Sequence, residues 1–297
     1  IKLINEVDYV LVSESNKTKK LAIFIFSGFF LPIGFSVSMF FWRTFYIDVE
    51  YLKENLNGIN FLGIIKFTKN KLSNENRIIK DELLNRIYHN MNMIFTKSKE
   101  GKSIMITSCI KNEGKTFTAF NLSTFLASMG KKVVLIGTDL GNPDLSKYFD
   151  QKNNNCKGLT NIIHDTKNNF KELFDDYKTT NNQLDTLFVG TKNSTKINIY
   201  DTKKFDDLIS YLKEKYDYII FDSAPILFMV DSLELLEKSD YVVHVFRKNF
   251  SSKKFVNYVL DYKEKYNKKN LGYVITDDTK PDKFIDKYGY RYGYGYG

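Results

Sequence analysis

Cysteine is nearly absent: 297 residues hold two, Cys109 and Cys156. They form neither a metal-ligand pattern nor a disulfide framework, which excludes a small cystine-stapled fold and suits a reducing compartment. Arginine is also scarce. The net charge of +9 comes mostly from lysines spread along the chain, with no dense arginine cluster. That distribution argues against nucleic acid as a partner and is better explained by closeness to an anionic membrane surface. Methionine is missing from the first position, which is Ile1, so further sequence upstream is expected. What is not lacking is apolar material. At 43% hydrophobic residues the chain can build a packed core and is not disordered as a whole.

Charge is absent altogether between Lys20 and Arg43, where the sequence reads LAIFIFSGFFLPIGFSVSMFFW. As a helix this run extends about 33 Å, the thickness of a bilayer core. Gly28, Pro32 and Gly34 are tolerated in lipid-spanning helices, and Trp42 and Tyr46 stand where an interfacial aromatic belt would lie. The run is too long for a signal peptide and lacks a small-residue cleavage site. One transmembrane helix over 21–43 is therefore predicted, with membrane lipid around it. Basic residues flank both ends (Lys17, Lys19 and Lys20 before; Arg43, Lys53, Lys66, Lys69 and Lys71 after), so their count does not orient the helix.

Residues 44–78 carry a short apolar patch at 59–67 and then turn polar, and are read as a linker. From about residue 79 the pattern changes. ELLNRIYHNMNMIF has helical spacing, and apolar strands then alternate with amphipathic helices. Strands are predicted at 103–107, 133–136, 218–221, 241–246 and 273–276, and helices at 116–129, 205–215, 232–238 and 253–266. Such alternation implies an α/β fold with a mostly parallel sheet and helices on both faces. The Asn- and Lys-rich segment 151–182 is read as surface structure on one edge. The domain ends near residue 280. In the tail, 281–297, Gly alternates with Tyr288, Tyr290, Tyr292, Tyr294 and Tyr296, so neither helix nor stable strand is expected there.

Three segments carry chemistry. Between the strand SIMIT and the next helix stands SCIKNEGKT, ending in Gly114-Lys115-Thr116. A glycine lets backbone curl around phosphate oxygens, and the N–H groups at the helix start bind the anion. Lys115 then reaches the β- and γ-phosphates while the Thr116 hydroxyl takes Mg²⁺. Lys111, Asn112, Glu113, Gly114, Lys115, Thr116 and Phe117 are the expected nucleotide-binding residues of this P-loop. Two further strands, VVLIGTD and YIIFD, end in Asp139 and Asp222. In doubly wound sheets ligands sit at the carboxyl ends of the strands, and magnesium favours a few carboxylates plus phosphates and water. Thr116, Asp139 and Asp222 are thus the candidate metal ligands, and Lys115, Asp139 and Asp222 the candidate catalytic residues.

Together these motifs resemble the bacterial tyrosine kinase family that accompanies polysaccharide export. SCIKNEGKTFTAFNLS looks like its Walker A, GTDLGNPDLSKYF like its Walker A′ and YDYIIFDSAP like its Walker B. The resemblance covers about 81–297, and the apolar run looks like the second helix of the associated chain-length-regulator membrane module. It implies a P-loop NTPase-type fold and MgATP as cofactor. It also implies a self-associating enzyme that phosphorylates the tail tyrosines of a neighbouring subunit, at a bacterial inner membrane with the kinase domain cytoplasmic and 1–20 outside. Polysaccharide export machinery and a tyrosine phosphatase are the implied partners. By the same resemblance Arg247 lies near the nucleotide, and Thr276 and Asp277 near the adenine.

The sequence also departs from the family. Gly137 replaces the first Walker A′ carboxylate, Cys109 holds the place of the usual first glycine, Lys111-Asn112 replaces Pro-Gly, and the subunit-contact arginines are missing around Glu82, Asn85 and Tyr88. Two other readings therefore stay open: a ParA/MinD-like ATPase on the same fold, and a polysaccharide-assembly scaffold whose nucleotide site has decayed.

Overall fold

The structure is a computed structural model that describes residues 17–66, 81–93, 100–141, 143–149, 157–165, 170–181, 183–191, 198–227 and 231–277. It divides into two units, Ile1–Phe45 and Tyr46–Gly297. The first is helix α1 (Lys17–Phe45), with Pro32 inside it. Its stretch Lys19–Phe41 is long and apolar enough to cross a membrane, and none of it is buried. Phe24, Phe29, Leu31 and Phe35 stand exposed around the helix. A helix apolar on all sides needs apolar surroundings.

In the second unit, the described residues form a sheet of eight strands. They are β1 (Asn60–Lys66), β2 (Lys102–Ser108), β3 (Val133–Gly137), β4 (Thr179–Asn181), β5 (Leu184–Leu187), β6 (Tyr218–Asp222), β7 (Tyr241–Arg247) and β8 (Leu271–Asp277). The order is β1-β8-β7-β2-β6-β3-β5-β4. Every pairing is parallel except β4 with β5. Parallel strands buried on both faces read as unbroken apolar runs, and β3 and β6 are buried at every residue.

Helices α2 (Val49–Asn55), α5 (Leu159–His164), α6 (Phe170–Tyr177), α7 (Lys203–Lys215), α8 (Asp231–Lys238) and α9 (Lys254–Lys265) feed one core layer, through Leu52, Ile162, Phe174, Leu208, Leu235 and Val259. Helices α3 (Asp81–Asn92) and α4 (Lys115–Ser128) feed the other, through Ile87 and Leu122 against Ile104, Ile106 and Leu135. The apolar stripe of α7 follows a Thr202 cap whose hydroxyl accepts from Phe205 N at 3.2 Å.

Two readings need correction. The segment read as a linker is not one over 46–66. Asp48 caps α2 by accepting from Tyr51 N at 2.8 Å, and β1 pairs with β8 from Asn60↔Gly272 to Lys66↔Asp277. Leu62 and Ile65 have no exposed surface. The strand went unread because its run is short, is interrupted by Gly63 at an irregular register, and lacks the alternation of a half-buried strand. Leu62→Ala is expected to lower unfolding free energy by about 2–5 kcal/mol in chemical denaturation, as for a core leucine; a linker residue would cost almost nothing.

The segment 151–182 does reach the sheet edge, through β4. Yet its α5 and α6 bury Leu159, Ile162 and Phe174, so those helices are core rather than surface decoration.

Candidate active site

Strands β2, β6 and β3 are neighbours, and their register puts Ile106 and Gly137 on either side of Asp222. The loop after β2, Asp139 after β3 and Asp222 at the end of β6 therefore emerge together at the carboxyl ends of these parallel strands. The loop turns through Asn112 at φ 66° and Gly114 at φ 99° before α4 begins. Left-handed backbone is cheap for glycine, and asparagine tolerates it better than most residues. Asn112 thus does conformational work that a glycine would do. Cys109 keeps a negative φ, so no glycine conformation is required at the place where the family has one.

Lys115 is buried, with 7% of its surface exposed. Burial pulls its ammonium down from the usual lysine range, opposed by the charges of Asp222, Asp139, Glu113 and Asp144 in that order. Asp222 is 3% exposed. Burial pushes its carboxyl up to about 7, against the pull of Lys115 and a hydrogen bond from the Thr116 side chain, with Asp139 and Asp144 adding repulsion. Its Oδ1 has no hydrogen-bond partner. A buried carboxylate oxygen without a donor is costly; a divalent cation is the partner it suits. Asp139 is buried, and its Oδ1 accepts from Gly141 N at 3.1 Å. Among the described residues no group of three or more His, Cys, Asp or Glu side chains could hold a metal by itself. That donor set fits magnesium, which takes one or two carboxylates and completes its shell with phosphate oxygens and water.

The predicted site residues divide into two groups. Lys115, Thr116, Asp139 and Asp222 are electrostatic neighbours, and Gly114 opens the helix beneath them. Lys111 and Asn112 are exposed, while Phe117 packs partly buried against the α4 side of the sheet. The second group braces the loop and does not face a ligand. Glu113 has no exposed surface. Its Oε2 accepts from Ile110 N at 2.8 Å, and its Oε1 accepts from the Ser251 hydroxyl. Thr276, expected beside an adenine, is fully buried and donates to the Glu113 carbonyl at 2.7 Å and the Phe246 carbonyl at 3.2 Å. A side chain without exposed surface cannot meet a base. Arg247 donates from Nη1 to the Asn112 carbonyl at 3.0 Å. Asp277 is the last residue of β8. The tail tyrosines lie outside the described residues.

Sequence reasoning missed Ser251, whose hydroxyl also accepts from Arg247 N at 2.8 Å, because serine in a turn carries no distinctive signal. It also missed a neutral chain behind the loop. His244 Nδ1 lies 3.0 Å from the Tyr262 hydroxyl, and Nε2 lies 3.6 Å from Cys109 Sγ. The thiol donates to the Phe255 carbonyl at 3.9 Å. Burial pushes His244 down to about 3 and the Cys109 thiol well up. The chain therefore stays uncharged at neutral pH and acts as bracing.

This geometry has known counterparts. Residues 101–271 match the model of a family described as AAA domain. Tyrosine-protein kinase CpsD of Streptococcus pneumoniae is 32% identical over 191 residues, which are 63% of this chain and 80% of that protein. Septum site-determining protein MinD of Helicobacter pylori is 32% identical over 120 residues, 40% of this chain and 43% of its own. Among solved structures, the kinase domain of Escherichia coli tyrosine kinase ETK superposes with a TM-score of 0.67, covering 84% of this chain and 98% of that domain. At 18% identity it speaks for the fold alone. Four fifths of a tyrosine kinase thus align with this chain, against less than half of MinD, and the chain belongs to the bacterial tyrosine-protein kinases, built on an AAA domain.

Proposed function

We propose that the chain is a membrane-anchored tyrosine autokinase. It transfers the γ-phosphoryl group of MgATP to tyrosines of the 281–297 tail on a neighbouring copy. The observation that carries this reading is the Asp222 carboxylate, buried with one unpartnered oxygen beside Lys115 and Thr116. Thr116, Asp139 and Asp222 would hold the magnesium, which neutralises phosphate charge. Lys115 and the start of α4 orient the terminal phosphates. The incoming tyrosine oxygen forms a bond to the γ-phosphorus as the bond to the β-bridging oxygen breaks, so ADP leaves. The phenolic proton passes to Asp139 or to water. Since Gly137 offers no second carboxylate, positioning and charge neutralisation carry the rate, as phosphoryl transfer allows.

Each phosphotyrosine adds about −1.5 to −2 charge. Repulsion between modified tails would loosen the assembly, and a phosphatase would reset it. The resemblance of the three motifs to kinases that accompany polysaccharide export supports a role in capsular or exopolysaccharide polymerisation and export. A helix at 21–43 would place 1–20 outside the cytoplasmic membrane and the kinase inside, where ATP is.

The likeness to MinD favours a second reading, an ATPase that hydrolyses nucleotide without modifying tyrosine. One experiment separates the two. The full chain in detergent is given MgATP and probed for phosphotyrosine and for released phosphate. Wild type should gain phosphotyrosine and Lys115→Met should lose it by at least about 100-fold. Phosphate release with no phosphotyrosine would support the ATPase, and no nucleotide binding would support a decayed scaffold.

A further inference from the structure

Asp139 leaves the sheet through Thr138, which is held by two partners. Its N–H and its hydroxyl both donate to the Asp222 carbonyl at 2.9 Å. Its own carbonyl accepts from the Tyr200 hydroxyl. Tyr200 comes from far along the chain, in the 3₁₀ turn Ile199–Asp201 that precedes α7. The turn is set by Asn198, whose side chain accepts from Tyr200 N at 3.1 Å. The ring is buried and meets Phe205 edge-on with centroids 5.3 Å apart. A phenol anchored at both ends of its ring leaves the Thr138 carbonyl little freedom.

The neighbouring position makes this anchor matter more. Gly137 stands opposite Asp222 in the β3–β6 register. A Cβ added there would lie 3.3 Å from Val189 Cγ2 and 3.4 Å from Leu145 Cδ2. A side chain at 137 would thus start out in close contact with two aliphatic neighbours. Asp139 therefore meets the nucleotide site without a carboxylate at 137 to share its task, and its direction depends on the peptide just before it together with the Gly141 N–H from which its Oδ1 accepts.

We infer that Tyr200 is a positioning residue for Asp139: its phenol fixes the Thr138 carbonyl and so aims the Asp139 carboxylate at the metal that accompanies the nucleotide. This rests on the reading of the site given under Proposed function. Groups one step removed from a metal ligand typically change metal affinity by about 10–100-fold, and one neutral hydrogen bond to a peptide belongs at the lower end.

The test is a binding experiment on the full chain in detergent. A fluorescent ADP analogue is titrated without metal, then at fixed concentration against Mg²⁺, for wild type, Tyr200→Phe and Phe205→Leu. Phenylalanine keeps the ring packing and removes only the hydroxyl. Phe205→Leu loosens the same ring and leaves the hydroxyl in place. Tyr200→Phe should need about tenfold more Mg²⁺ for half-maximal enhancement, with metal-free affinity within about twofold of wild type, and Phe205→Leu, which keeps the hydroxyl, should shift the Mg²⁺ requirement clearly less than Tyr200→Phe. An unchanged Mg²⁺ requirement in Tyr200→Phe would overturn the inference. So would equal shifts in both variants, or a loss of affinity for Tyr200→Phe already present without metal. A wild type whose nucleotide binding ignores Mg²⁺ would instead overturn the reading of the site itself.

Discussion

Asp222→Asn is expected to abolish phosphotyrosine formation while raising the melting temperature of the nucleotide-free protein at pH 8. The first effect follows from the metal. Asparagine offers a neutral oxygen where the cation needs charge, and weakening the hold on the cation that neutralises the reacting phosphate is expected to cost at least about 100-fold. The second follows from burial. The Asp222 carboxyl is pushed up to about 7 in the fold and titrates near 3.9 in an unfolded chain. With the folded value the higher one, its stabilising contribution is complete below about pH 4 and is lost as pH rises through about 7. At pH 8 the nucleotide-free fold holds an ionised carboxylate with a bare oxygen. Asparagine keeps the shape and removes the charge. Lys115 loses one counter-charge in the variant but keeps Asp139 and Glu113, so the gain at Asp222 should dominate. Scanning fluorimetry from pH 5 to 8 should show wild type melting lower as pH rises, and the variant melting a few degrees higher than wild type at pH 8. MgADP should stabilise wild type and leave the variant almost unmoved. A variant that melts below wild type at pH 8 would show that the ionised Asp222 is well compensated without metal.

Destabilisation at the centre of a site is a common cost of function, and here it is visible in local sequence. An apolar strand that ends in a carboxylate, and a Gly-Lys-Thr turn between a strand and a helix, are each local patterns, which is why Lys115, Thr116, Asp139 and Asp222 stand out as candidates in the sequence. The parallel sheet was legible for a similar reason, since strands such as YIIFD and YVVHVFR carry no alternation and lie between amphipathic helices.

What escaped was non-local or ambiguous in period. β1 joins the sheet more than two hundred residues before its partner β8 in the chain, and its seven residues broken by Gly63 resemble a polar linker's single apolar patch. The Thr138–Tyr200 and Glu113–Ser251 contacts join turns far apart in sequence, and neither tyrosine nor serine announces such a role. Thr276, expected near an adenine, is fully buried. It lies next to the nucleotide loop, but its burial makes it a brace. The departure at Cys109 loses much of its force once the backbone there is seen to need no positive φ, whereas Gly137 remains a real loss of a carboxylate.

The brace at Glu113 yields the other large expected effect. Its carboxylate accepts from Ile110 N and from Ser251 Oγ, and its carbonyl accepts from Thr276. One residue thus ties the phosphate loop to the β7–α9 turn and to β8. Glu113→Ala leaves the half-buried Ile110 N–H and the buried Ser251 hydroxyl without acceptors, the latter costing about 1–3 kcal/mol, and opens a cavity besides. Loss of about 3–5 kcal/mol in denaturant unfolding is expected, with nucleotide affinity down at least about tenfold as the loop frays.

Glu113→Gln should behave differently. Its amide oxygen can still accept from Ile110 and its NH₂ can donate to Ser251, so most of the stability should remain. The carboxyl of Glu113 is also pushed up to about 7, by burial against hydrogen bonds from Ile110, Ser251 and Ser108 and the charge of Lys115. Its contribution, like that of Asp222, is full below about pH 4.3 and lost as pH rises through about 7. The glutamine variant should therefore lie closer to wild type at pH 8 than at pH 5, and combined with Asp222→Asn it should flatten the pH profile further than either change alone. Unfolding curves at pH 5 and pH 8 decide the matter. If Glu113→Ala unfolds within about 1 kcal/mol of wild type at both values, the loop is held by something other than this carboxylate, and the buried turn behind it is only a bystander.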